Sequence, residues 1–170
     1  MIIREIVVED AEGLGQIMTR VESESDFMMY EAGERKTSTE RQKQMIENLL
    51  KSENSTIFVA EEHGNLIGYL FAIGGSAKRN KHSAYIVIGI AKVHTGKGIG
   101  TSLFQALEKW AKEQEVHRLE LTVITNNKAG LSLYQKMGFE IEGTKRDSLY
   151  MNGQFVNEYY MSKLLETNRS

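Results

Sequence analysis

The sequence predicts an α/β fold in a single domain, and three observations carry that prediction. Residues 82–111, HSAYIVIGIAKVHTGKGIGTSLFQALEKWA, read as an apolar strand, a glycine-rich turn and an amphipathic helix. On either side of this unit, alternating and 3.6-spaced apolar patterns follow one another in the order βααβββαβαββ. Near the end, Asn152-Gly153 between apolar stretches is the strongest short hairpin signal a sequence carries. The chain has 170 residues, 41% hydrophobic and 26% charged, which suits one globular domain over residues 1–170 with a core that needs no staples.

Each element has a local reason. Residues 2–8 alternate as a strand, and Asp10 can N-cap a helix running to about Ser23. Residues 24–36 are irregular. Thr37 and Glu40 have the spacing of a capping box, which predicts a helix to about Lys51. Residues 56–62 and 66–73 read as strands around a tight turn at His63, Gly64 and Asn65.

The central unit then follows. Its strand covers 85–90, its turn carries Gly96, Gly98 and Gly100, and its helix places Leu103, Phe104, Leu107, Trp110 and Ala111 on one face. Next come a strand at 118–124, a short helix opened by Asn127, and Gly138 as the left-handed residue ending it. Phe139 begins the final hairpin.

Glycines that open a helix leave backbone N–H groups unpaired at the positive end of the helix dipole. That is a site for phosphate or pyrophosphate. The P-loop pattern is absent, because no Gly-Lys pair is followed by Ser or Thr. The dinucleotide pattern GxGxxG fails as well, since Thr101 or Leu103 stands where its third glycine belongs. Glu120, about 20 residues on, is nonetheless placed as a ribose ligand of a dinucleotide fold would be. A glycine turn alone decides nothing, since it also serves merely to shape a loop.

A second block adds to it. Residues 125–139, TNNKAGLSLYQKMGF, place Asn127, Leu133, Tyr134, Gly138 and Phe139 in the pattern NxxxxxLYxxxGF. With TGKGIG at 95–100, this resembles the GNAT superfamily of acyl-CoA-dependent N-acyltransferases over roughly residues 56–164. The tail EGTKRDSLYMNGQFVNEYYMSKLL is similar to bacterial members acting on small substrates.

The resemblance implies a mixed, mostly antiparallel and partly splayed sheet with helices on both faces. It implies acetyl-CoA as co-substrate, with the backbone of Thr95, Gly96, Lys97, Gly98, Ile99, Gly100 and Thr101 around the pyrophosphate. It further implies strand backbone near Ile90 and Ala91 along the acetyl and pantetheine groups, Asn127 against the cofactor arm, and Tyr134 as proton donor to the leaving thiolate. Thr95 departs from the family's Gln or Arg, but its backbone N–H is still expected to donate. Gly130 stands where the family often has alanine, and a helical glycine costs about 1 kcal/mol.

Without the resemblance, Tyr134 reads as a buried aromatic and Asn127 as an N-cap. The implied reaction is direct attack of a neutral amine on the thioester. Deprotonating an alkylamine at pH 7 costs about 4–5 kcal/mol, so a base, a water chain or desolvation is required. Full proton transfer from an ordinary tyrosine to a thiolate is uphill by ~2 kcal/mol, which leaves a hydrogen bond or a lowered pKa as alternatives. Ala84 and Thr122 occupy strand positions where relatives often carry a carboxylate, and Glu120 is one substitute. The base stays open.

Composition narrows the field. There is no cysteine, so no disulfide, no cysteine-based zinc site and no cysteine nucleophile. Histidines 63, 82, 94 and 117 lack metal-ligand spacing, and no metal is expected. A net charge of −2 gives no nucleic-acid surface, and Lys78, Arg79 and Lys81 read as a solvated loop. No apolar run approaches the ~20 residues of a membrane span and the first residues lack a signal-peptide pattern, so a cytoplasmic enzyme is expected.

Glu22, Glu24, Asp26, Glu31 and Glu34 precede Arg35 and Lys36 in the region expected to wall the acceptor. Such acids favour a cationic amine, though a solvated acidic loop is the plainer reading. The expected partner is a small-molecule or peptide amine, and a homodimer is compatible with it. Three functions compete: N-acetyltransferase, dinucleotide-dependent oxidoreductase, and a CoA-binding sensor without turnover.

Overall fold

The computed structural model describes residues 1–34 and 38–166. In chain order the elements are β1 Ile2–Glu5, α1 Ala11–Glu24, α2 Thr39–Leu50, β2 Thr56–Glu62, β3 Asn65–Gly74, β4 Ser83–Ile90, α3 Ile99–Glu113, β5 Arg118–Ile124, α4 Lys128–Lys136, β6 Glu140–Met151 and β7 Gln154–Leu164. This is the order expected from the sequence. Among the described residues the strands form one seven-stranded sheet, β1-β2-β3-β4-β5-β7-β6. Every neighbouring pair is antiparallel except β4 and β5.

Helices cover both faces. On one, α1 and α2 bury Leu14, Ile17, Val21 and Ile46 against Ile57, Val59, Tyr69 and Phe71. On the other, α3 buries Leu103, Phe104, Leu107 and Trp110 against Phe58, Leu70, Ile86 and Leu121. Strands β2 and β3 read as nearly continuous apolar runs because both of their faces are covered. Two hairpin turns put both central residues in the left-handed region: His63 and Gly64 at φ 51° and 80°, Asn152 and Gly153 at 51° and 77°. That is the hand which matches strand twist.

Some boundaries differ from expectation, each for a local reason. The first strand stops at Glu5, and Val8–Asp10 form a 3₁₀ turn. Asp10 does precede α1, but its side chain does not cap that helix. One carboxylate oxygen accepts the Val7 N–H at 2.9 Å, and both take the Arg4 guanidinium at 2.7 and 2.9 Å. The second helix is N-capped by Ser38, whose Oγ accepts the Arg41 N–H at 3.2 Å. Thr37, expected in that role, lies outside the described residues.

Candidate active site

Strands β4 and β5 pair only through Ser83, Ala84 and Tyr85 with Arg118, Leu119 and Glu120, and then splay. Beyond that point one edge of β4 faces open space. The Ser83 carbonyl accepts from Gly75 N–H and Ala91 N–H donates to the Ile67 carbonyl, each at 2.9 Å. By the alternation of an antiparallel ladder, odd residues of β4 therefore bond toward β3. Ile88 and Ile90 turn their N–H and C=O groups into the splay. Ile90 lines the gap, whereas the Ala91 amide is committed to Ile67 and cannot serve a ligand.

A cavity of about 680 Å³ fills the splay. Its floor at one end is the glycine turn. Gly96 and Gly98 hold φ 75° and 83°, and a side chain at either would meet nothing within 4 Å, so the turn is open. Gly98 is the N-cap of α3, and the first intrahelical bond runs from Ser102 N–H to its carbonyl at 3.1 Å. The N–H groups of Ile99, Gly100 and Thr101 have no intrahelical acceptor, as in any first turn.

Gly100 is small for a different reason: an added Cβ would stand 2.8 Å from Leu133 of α4. Thr95 does not behave as expected. Its N–H and its hydroxyl both return to the Lys92 carbonyl, at 3.2 and 2.7 Å. Lys97 is exposed on the same turn. Lys136 Nζ lies 3.4 Å from Thr101 Oγ1, which sets a cation beside the helix N-terminus.

The short helix α4 closes the cavity from the α3 side. Asn127 Oδ1 accepts the Gly130 N–H at 3.0 Å, so it is an N-cap, and it also lines the cavity. Gly130 makes room for that cap, since a Cβ there would lie 2.6 Å from the Asn127 amide nitrogen. Tyr134 lines the cavity too, half-buried against Phe104 and Phe139 at ring separations of 5.9 and 6.3 Å. Burial, with the neighbouring Tyr85 phenol adding to it, pushes the Tyr134 hydroxyl up to about 12. Tyr85 reaches across the splay, its hydroxyl 2.8 Å from Thr122 Oγ1.

The opposite wall comes from residues 25–30. Phe27, Met28, Met29 and Tyr30 line the cavity with Val21 and Glu22 of α1. Of the acidic residues expected in this wall, only Glu22 lines the cavity. Glu24 accepts the Lys92 N–H at 3.1 Å and faces Arg20 at 3.5 Å, and Glu34 accepts the Glu31 N–H at 2.9 Å. Arg35 and Lys36 lie outside the described residues. Glu120 is held by Arg118 at 2.9 Å and does not line the cavity.

The sequence model of the acetyltransferase (GNAT) family matches residues 19–139. The chain belongs to the GNAT family. A GNAT-family acetyltransferase from Streptococcus pneumoniae, known by crystal structure, is 31% identical with a TM-score of 0.93, over 97% of this chain and 99% of that one. A probable N-acetyltransferase of Bacillus subtilis, YjcK, is 33% identical over 78% of this chain and 71% of its own length. The L-amino acid N-acetyltransferase AaaT of Escherichia coli is 30% identical over 59% of this chain, and the match spans 63% of its length.

Two residues of this GNAT domain escaped the sequence reading. Lys136 was legible in principle, because it continues the helical face of Ala129 and Leu133 that lines the cavity. Glu158 of β7 is buried and lines the cavity as well. It sits directly across from Ile124 of β5, a pairing that sequence spacing does not encode.

Proposed function

We propose that this protein transfers an acetyl group from acetyl-CoA to a primary amine by direct attack, with both substrates bound together. The observation that carries the reading is the junction of an open helix N-terminus with the bare edge of β4. The donor set fits the cofactor: unpaired N–H groups at Ile99, Gly100 and Thr101 beside Lys136 suit a pyrophosphate. The groups of Ile88 and Ile90 suit an amide-bearing arm laid along the strand.

Acetyl-CoA supplies the activated thioester. The chain's own groups do the rest. An N–H of β4 polarises the thioester carbonyl and steadies charge as it develops on oxygen. Tyr134 donates a hydrogen bond toward the leaving sulfur. With its hydroxyl near 12, full proton transfer to a thiolate near 8.5 is uphill by about 5 kcal/mol. It therefore acts as a neutral donor across the working pH range, and the lowered pKa considered above is not its device. The acceptor enters past Phe27, Met29 and Tyr30, beside Glu22. Two carboxylates line the cavity, Glu22 and Glu158, while Lys136 at the helix N-terminus is the one lysine or arginine among its described lining residues. This favours an amine without a carboxylate of its own.

The test is release of free thiol from acetyl-CoA with n-butylamine, spermidine and L-leucinamide. Thiol release that depends on the amine supports the reading. Binding of acetyl-CoA with no release under any of them would point instead to a CoA sensor.

A further inference from the structure

The sequence leaves the base unassigned, and the structure narrows it by face. Leu119, Leu121 and Val123 of β5, and Tyr159 and Met161 of β7, pack toward α3. Strand alternation sends Thr122, Ile124 and Glu158 to the other face, where α1 and residues 25–30 stand. Tyr134 packs with the α3 cluster. The splay therefore has two sides: a phenol on the cofactor side, and the carboxylates of Glu22 and Glu158 on the acceptor side. Glu158 is 9% exposed and lines the cavity; Lys145 of β6 stands opposite it in the ladder but outside ion-pair distance, and Glu158 meets no hydrogen-bond or ion-pair partner among the described residues. A buried carboxylate is normally paired, so one aimed into a cavity without a partner marks a place for a cation.

We infer that Glu158 is the base of the reaction, receiving the acceptor's ammonium group and taking its proton. This rests on the amine-acetylation reading above. The bound R–NH3+ gives one proton to Glu158, and the freed lone pair forms the C–N bond. The C–S bond breaks with its electron pair on sulfur. The nitrogen, now a far stronger acid, loses its second proton, and sulfur gains one to leave as the thiol. The proton on Glu158 passes to solvent. Two protons leave nitrogen; one ends on sulfur and one in water.

The test compares the parent with Glu158→Gln and Glu158→Asp, using the best of n-butylamine, spermidine and L-leucinamide. In the parent, kcat/KM stays level while the free amine is cationic and falls as the amine loses its proton. Glu158→Gln should lower kcat/KM at pH 7 by about 10²–10⁴-fold, with acetyl-CoA affinity within a few-fold. Its profile should then climb with unit slope up to the amine's own pKa, because only neutral amine now reacts. Glu158→Asp should keep the parent's shape at reduced height. A Glu158→Gln profile of parental shape, whatever its height, gives the residue a structural role and overturns the inference alone. No thiol release by the parent with all three amines overturns the acetylation reading and this inference with it.

Discussion

At the scale of single residues, Tyr134 separates chemistry from packing. Tyr134→Phe keeps the ring against Phe104 and Phe139 and removes only the hydroxyl. A hydrogen bond to a developing charge contributes about 1.5–3 kcal/mol, so kcat should fall roughly 10- to 150-fold while acetyl-CoA affinity holds. A kcat equal to the parent's, with the chemical step limiting, would remove Tyr134 from the mechanism. The same hydroxyl carries a pH signature. It ionises near 12 in the folded state and near 10 when unfolded. Between those values the unfolded chain has lost a proton that the folded one keeps, so stability falls as pH rises through that window. Chemical denaturation from pH 9 to 12 should show a shallower fall in Tyr134→Phe.

At the scale of elements, two of the three glycines of the turn before α3, Gly98 and Gly100, fail differently when replaced. Gly98→Ala has open space but a φ of 83°, so it costs about 1–2 kcal/mol of backbone strain. Gly100→Ala drives a methyl against Leu133 and separates α3 from α4, an overpacking of about 1–3 kcal/mol. Both should bind CoA more weakly. Only Gly100→Ala should also disturb the near-ultraviolet signal of the Phe104, Tyr134 and Phe139 cluster.

The junction of β1 with α1 gives a second prediction at this scale. The Arg4 hydrogen bonds hold the Asp10 carboxyl below its ordinary range. Its contribution is present above pH 4 and is lost as pH falls through the lowered value. Asp10→Asn should therefore flatten the acid limb of a stability–pH curve, and an unchanged limb would show that the pair contributes nothing.

At the scale of the molecule, β1–β4 and β5–β7 meet through three residue pairs and then diverge. A ligand lying in that gap touches both halves, so acetyl-CoA should raise the melting temperature by mass action while NADH does not. Hydrogen exchange should slow at the amides of Ile88 and Ile90 in the same experiment. Protection at β6 instead would place the cofactor elsewhere.

The order of elements was legible because periodicity and turn chemistry are local properties. Residues 118–124 and 56–62 read as strands and are β5 and β2 residue for residue. The glycine turn and Tyr134 stand out through motifs held within short stretches of chain, and the structure brings both to one cavity. The proposed base was not legible there, nor was the loss of the Thr95 and Ala91 amides as donors. Each depends on which backbone group faces which strand or turn. Glu158 becomes a candidate only because β7 inserts between β5 and β6 and sets it across from Ile124. By itself, then, the sequence determined the succession of strands and helices, the glycine turn and the family. The tertiary structure alone decided where the sheet opens, which amides stay unpaired and which carboxylates face the gap. The physical reason is that pairing across a sheet joins residues distant in sequence, and nothing local to either strand records its partner.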